Sequence, residues 1–296
     1  MTAFAIRFYR SAAGPLLMLG AAMSFTIMNI LVKIVGPDFR VWDLAFYRFF
    51  GGFIILTAFL GRTGNPFRGY NIPLLMVRGC TGSIALVLLY GAIRLLPVST
   101  AMVLFFSFPA YAAIFSFLIF GERVTPVGIA CIVAVMLGVM VLFDFQVGGG
   151  LMGQVFGVLG ALFAGLTVTL IKALRAKNGP AVIYLYLCAM GMMVTFPAYA
   201  SGPVLPWPPD QLAICCGIVL TALTAQLLMN HGFFYCTSLE GGVFMSMEVV
   251  FTAIIGIAFL NDPVGWRFLV GSLLIVGSVL ALNIAKARSA QAAPRG

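Results

Sequence analysis

Charge is what this sequence most lacks. Eight per cent of its 296 residues are Asp, Glu, Lys or Arg, against roughly a quarter in a water-soluble domain. A mean hydropathy of +1.11 and a hydrophobic share of 62% exclude a soluble fold and put the chain in lipid. With one histidine, His231, no multi-histidine metal site can form. No C-x-x-C spacing occurs, and the six cysteines lie in or beside apolar segments, where they read as small buried hydrophobes. The chain also lacks a G-x-x-x-x-G-K-[ST] loop, a G-x-S-x-G elbow and an H-E-x-x-H pair. Their absence argues against ATP hydrolysis by this chain and against an intramembrane protease or acyl transferase, the runner-up class. No cofactor is expected. The net charge of +9 is scattered over segment ends rather than gathered in a patch, so nucleic acid is not an expected partner.

What the chain does have is long uncharged runs. Residues 11–32, 95–121, 124–143, 145–171, 178–209 and 211–239 each reach the roughly 18 residues that suggest a spanning helix. Breaking the chain at charges, prolines and glycines gives ten spans, near 15–36, 43–61, 72–93, 97–120, 125–143, 151–173, 180–201, 211–232, 240–260 and 264–285. Ten spans put both termini on one side. If that side is the cytoplasm, its segments carry eleven Lys and Arg and the opposite segments carry Arg40, Arg94 and Arg267. Eleven against three is a strong positive-inside bias, so both termini are expected in the cytoplasm.

The chain also repeats itself. At an offset of 139, Leu31-Val32-Lys33 falls on Leu170-Ile171-Lys172, Tyr47 on Tyr186, Gly52 on Gly191, Ser107 on Ser246 and Gly138 on Gly277. One ungapped offset running from the first span to the fifth divides the chain into 1–147 and 148–296. Five spans per half is an odd number, so the second half must cross the membrane in the opposite sense. The expected fold is therefore all-α and polytopic, with ten transmembrane helices forming two inverted five-helix repeats around a central cavity. Such repeats mark transporters, whose solute site lies near the midplane and whose halves rock to give alternating access.

Glu248, in VFMSMEVVF, is the strongest candidate site residue. The other seven acidic residues lie beside turns or near the ends of apolar runs, and this one sits deep inside a run. An ionised carboxylate near the bilayer centre costs at least ~2.5 kcal/mol, so it usually faces a cavity or a partner. Its helical neighbours Gly241, Met245, Thr252 and Gly256 form a small or weakly polar stripe. Binding a substrate ammonium or exchanging a proton would suit it. A carboxylate kept neutral, or locked to a basic side chain, is the structural alternative.

Other polar residues are weaker candidates. Thr100, Ser107 and Tyr111 share one face of the fourth span, and Asn29 lies one turn before Lys33. His231 shares a face with Thr224, while Gln226 and Asn230 share another, and the sequence does not decide between these faces. Lys33, Arg48 and Arg78 have snorkelling to the interface as their default, with a substrate carboxylate as the competing role for Arg78 or Lys33. Pro109, aligned with Glu248 across the repeat, is expected to bend the fourth span. Gly153, Gly157, Ala161 and Gly165 recur every four residues, a stripe for close helix packing.

The five-plus-five layout and the segment RLLPVSTAMVLFFSFPAYAAIFSFLIFGERVTPVGIACIVAVMLGVMVL (94–142) resemble the EamA branch of the drug/metabolite transporter superfamily. The pair Gly121-Glu122 after an apolar helix is the most specific part, and Leu260-Asn261-Asp262 departs from it in the second half. The resemblance implies a cavity lined by spans 1, 3, 4, 6, 8 and 9. It implies efflux of small metabolites across a bacterial inner membrane, amino acids among them, as in aromatic amino-acid exporters of the YddG kind. Multidrug or nucleotide-like solutes are the alternative within the same fold. The first-helix glutamate of the small multidrug relatives is missing here, so their proton exchange does not carry over and coupling stays open. A complete pseudo-symmetric unit is expected to be monomeric.

Overall fold

The computed structural model describes residues 3–35, 39–62, 64–96, 101, 104–122, 125–142, 150–207, 209–260 and 265–292. Among these no strand occurs, as expected of a chain in which every backbone donor must find a partner within its own segment. The first half supplies α1 (Ala3–Ile34), α2 (Val41–Gly61), α3 (Ile72–Leu95), α4 (Phe108–Phe120) and α5 (Pro126–Leu142). The second supplies α6 (Leu151–Arg175), α7 (Pro180–Ala200), α8 (Pro209–Gly232), α9 (Ser238–Met245), α10 (Met247–Leu260) and α11 (Trp266–Ala292). Six of these contain a stretch long and apolar enough to cross a membrane: α1, α2, α3, α6, α7 and α8. Shorter apolar stretches occupy α4, α5 and α11.

Local chemistry sets the helix ends. Asn71 caps α3 from a left-handed conformation (φ 57°), its side chain accepting from the Leu74 amide, with Pro73 in the first turn. Thr237 and Glu240 form a capping box at the start of α9. Gly121 ends α4 at φ 65°, a conformation that costs a residue with a Cβ about 1–2 kcal/mol.

The ninth span, expected to be continuous, is interrupted at Ser246, and the fourth is interrupted at Phe106–Ser107. Ser107 and Ser246 are equivalent at the 139 offset. Each turns its hydroxyl back onto a carbonyl of the preceding turn, Ser107 Oγ donating to Leu104 O at 2.6 Å and Ser246 Oγ to Gly242 O at 3.1 Å. Backbone bonds of the i−3 kind appear in both places, from Ser107 N to Leu104 O and, at Ser246, shared with a retained i−4 bond to Gly242 O. Pro109 therefore does not bend the middle of a helix: it sits in the first turn of α4, just after the break, where its missing N–H costs little.

Packing follows the same offset. The most extensive contacts join α3 to α6 and α1 to α8, and these two pairings exchange when 139 is added. The α2–α7 and α5–α11 contacts map onto themselves. Val41 and Gly61, the ends of α2, become Pro180 and Ala200, the ends of α7, after the same shift. Each half thus buries its apolar faces mainly against the other, so neither half has a core of its own. The small-residue stripe of α6 is where α3 and α4 come close. A Cβ on Gly153 would lie 2.6 Å from Leu96, one on Gly157 2.9 Å from Leu104 and one on Gly165 2.7 Å from Tyr111. Those distances leave room for glycine alone.

Candidate functional site

Glu248 occupies the first turn of α10, created by the interruption at Ser246. A helix start is a favourable place for a carboxylate, because the dipole presents its positive end there. Its Oε1 accepts a hydrogen bond from Asn29 Nδ2 of α1 at 2.8 Å, and its main-chain carbonyl accepts from the fully buried Thr26 at 3.3 Å. Two residues proposed separately from sequence, one in each half, are thus brought into contact. Glu248 keeps partial accessibility within an otherwise buried stretch, since Gly241 to Ser246, Val249 and Val250 are all buried.

Basic residues approach from α2 and α3, and here the expectation of snorkelling fails. Arg78 is fully buried and Arg48 is 5% exposed. Arg78 Nη2 donates to Gln226 Oε1 at 3.2 Å and to Asn230 Oδ1 at 3.4 Å. This settles which polar face of α8 turns inward: both amides are buried on it. Thr224 lies on the exposed outer face, its hydroxyl returned to Leu220 O at 2.9 Å, so it is not part of the interior cluster. His231, half-buried, stacks on Tyr235 with ring centroids 5.8 Å apart and is also outside the cluster. Ser107 spends its hydroxyl on the α4 break, and Tyr111 packs against Gly165 as part of the core wall. Thr252 is half-buried one turn beyond Glu248. The side chain of Lys33 lies outside the described residues, as does the whole of Thr100.

Of the four further contributors, Thr26 has no mark in the sequence, whereas Arg48, Gln226 and Asn230 are visible there without a decided role. Thr26 is a serine-like residue in an apolar helix, a common and uninformative occurrence. Arg48 carried a usable signal: it lies seven residues into α2, about 10 Å at 1.5 Å per residue, which is deep for a side chain meant to reach the interface. Gln226 and Asn230 carried one too, being four apart on one helix face.

Away from this cluster, the Gly121-Glu122 pair ties helix ends together. Glu122 accepts from Ser116 and forms an ion pair with Lys172 at the end of α6. Beside it a cleft of about 310 Å³ opens between α4, α9 and α11, bordered by Ser116, Glu122, Thr125, Thr237 and Glu240. Among the described residues no group of three or more His, Cys, Asp or Glu is placed to hold a metal, and the six cysteines are unpaired.

A bundle of apolar helices, paired across two related halves and holding a polar cluster between them, defines a membrane transport protein rather than an enzyme. The particular family follows from sequence comparison. The profile of the EamA-like transporter family matches residues 12–144 and again 151–284, and the chain belongs to that family. The chain is 26% identical over 275 residues to the pseudopaline exporter CntI of Pseudomonas aeruginosa (strain UCBPP-PA14), covering 93% of this chain and 97% of that protein. The human solute carrier family 35 member G1 is 25% identical over 288 residues, with 90% of this chain and 77% of the relative covered. A solved crystal structure superposes with a TM-score of 0.78 at 16% identity, covering 94% of this chain and 99% of that one, which establishes the likeness of fold.

Proposed function

We propose that this chain is a secondary exporter of small metabolites, with amino acids or closely related zwitterions as its solutes. Ten spans in two inverted halves, 1–147 and 148–296, rock about a central site in a bacterial inner membrane, with both termini in the cytoplasm. The observation that carries the reading is the contact of Glu248 with Asn29. It joins the two halves side chain to side chain, and Glu248 is only half-buried within an otherwise buried stretch. A carboxylate so placed suits a substrate ammonium, or a proton exchanged against it. The outward direction is supported by relatives named as exporters.

Sealed proteoliposomes test this. Saturable flux of labelled amino acids is expected, and Glu248→Gln should lower its initial rate at least roughly tenfold, the loss of about 1.4 kcal/mol. The same variant should flatten the dependence of flux on pH while the protein still inserts and purifies normally. Wild-type flux with an unchanged pH profile would remove Glu248 from the mechanism. Turnover of a solute in detergent, without flux, would replace transport by enzyme chemistry.

A further inference from the structure

We infer that Arg48 and Arg78 bind carboxylate groups of the transported solute, and that the solute carries two carboxylates and one amine. This rests on the export reading and narrows its substrate.

Both guanidinium groups are buried with no carboxylate in direct contact among the described residues. Arg78 has neutral partners only, the Gln226 and Asn230 amide oxygens, and its Nε and Nη1 are buried with no partner. Arg48 Nε is likewise buried and unpartnered, its guanidinium beside the neutral hydroxyls of Tyr90 and Tyr184, with its central carbon 5.7 Å from the Phe25 ring centroid and 5.9 Å from that of Phe49. Among the described residues the ion pairs are Arg40–Asp43 and Lys172–Glu122, so neither buried guanidinium has a carboxylate at ion-pair distance. An arginine cannot escape by losing its proton. Amide oxygens and aromatic faces offset only part of the desolvation of a full charge. In native proteins buried donors without partners are rare, and inside a membrane such charges mark solute pathways.

The two arginines belong to one electrostatic site. Tyr184 and Cys188 of α7 lie within electrostatic reach of both guanidinium groups, and the two groups lie within reach of each other. Arg48 is also within reach of Glu248. Its neighbour Phe25 stands one residue before Thr26 and one turn before Asn29, the two residues that hold Glu248. Among the described residues, and with Glu248 ionised, the charges of this interior are then two positive and one negative. A neutral amino acid would leave one guanidinium unmatched. A solute with two carboxylates and one ammonium neutralises the site, each planar carboxylate accepting paired N–H donors from a guanidinium and the ammonium meeting Glu248. The offset shows why this half holds the anions: Arg48 and Arg78 fall on Leu187 and Gly217 in the second half, so the site is polar by departure from the repeat.

The test is ligand-induced thermal stabilisation of the purified full chain in detergent, a readout that needs no flux. The probes are iminodiacetate and L-glutamate, with two carboxylates and one amine, L-glutamine, with one carboxylate, and inorganic phosphate. Both dicarboxylates should raise the melting midpoint in a saturable way, with glutamine and phosphate requiring at least roughly tenfold higher concentration. Arg48→Met should melt no lower than wild type without ligand, yet lose that tenfold preference. Arg78→Lys, which keeps the charge and loses the fork, should weaken dicarboxylate stabilisation in the same sense and serves if Arg78→Gln fails to fold. Equal stabilisation by glutamate and glutamine, equal stabilisation by phosphate, no stabilisation by either dicarboxylate, or arginine variants that respond like wild type would each overturn the proposal. Vesicle flux separates the two readings. Dicarboxylate binding without flux leaves the site and removes the exporter, whereas flux indifferent to both arginines does the reverse.

Discussion

At the scale of single residues, burial rather than position in sequence decides what a charge does. Lys172 and Arg78 are both basic residues near the end of an apolar run, and they come to opposite arrangements. Lys172 is part-exposed at the end of α6 and meets Glu122 there. Arg78, six residues into α3, is enclosed by α8 and has only amide oxygens as partners. The Glu122–Lys172 pair gives the Gly121-Glu122 motif a structural account. Glycine supplies the φ of 65° that turns the chain back, and the carboxylate then reaches the neighbouring helix. Gly121→Ala should therefore lower stability by about 1–2 kcal/mol through the left-handed backbone alone. Glu122→Gln should cost about 1 kcal/mol or less because the pair is part-exposed and water screens it. Thermal melting in detergent would rank the two, and a larger loss for Glu122→Gln would contradict this assignment.

At the scale of elements, the interruption of the fourth and ninth spans is the feature that builds the site. Its sequence mark is slight, one serine repeated at an offset of 139. Proline, the residue that ordinarily signals a break, is present in one copy alone, and even there it follows the break. In the other copy Glu248 takes the equivalent place and gains the positive end of α10. The α6 stripe was fully legible, because a small residue every four positions has one ordinary meaning between membrane helices. Gly165→Leu is expected to abolish the monodisperse folded peak in size-exclusion chromatography, since a Cβ alone would already lie 2.7 Å from Tyr111 and 2.8 Å from the Ala112 amide nitrogen. Gly61→Ala, where a Cβ meets nothing within 4 Å, is the matched control and should elute as wild type.

At the scale of the whole molecule, the pairing of helices across the two halves means that neither half should fold alone. Co-expression of residues 1–147 and 148–296 as separate chains should restore a complex, while either fragment by itself should aggregate or be degraded. Recovery of a monodisperse single half would contradict the interlocked packing of α1 with α8 and α3 with α6. Orientation is testable at the same scale. With eleven basic residues expected on one side against three, a reporter fused at either terminus should be active in the cytoplasm, and reversing that bias should reduce insertion.

The all-helical membrane fold and its internal repeat are properties of composition and periodicity, because a chain in lipid must satisfy its backbone locally and repeated segments repeat their structure. Membership of the EamA-like family was also visible in the 94–142 segment. Glu248 stood out for the same reason, since a carboxylate inside an apolar run carries a cost wherever the run folds. The rest required tertiary structure. The face of α8 that turns inward, the meeting of Asn29 with Glu248, and the enclosure of Arg48 and Arg78 all depend on how helices distant in sequence rotate against one another. Helical periodicity lists the residues that share a face. Only the neighbouring helix decides whether that face meets lipid, protein or solute.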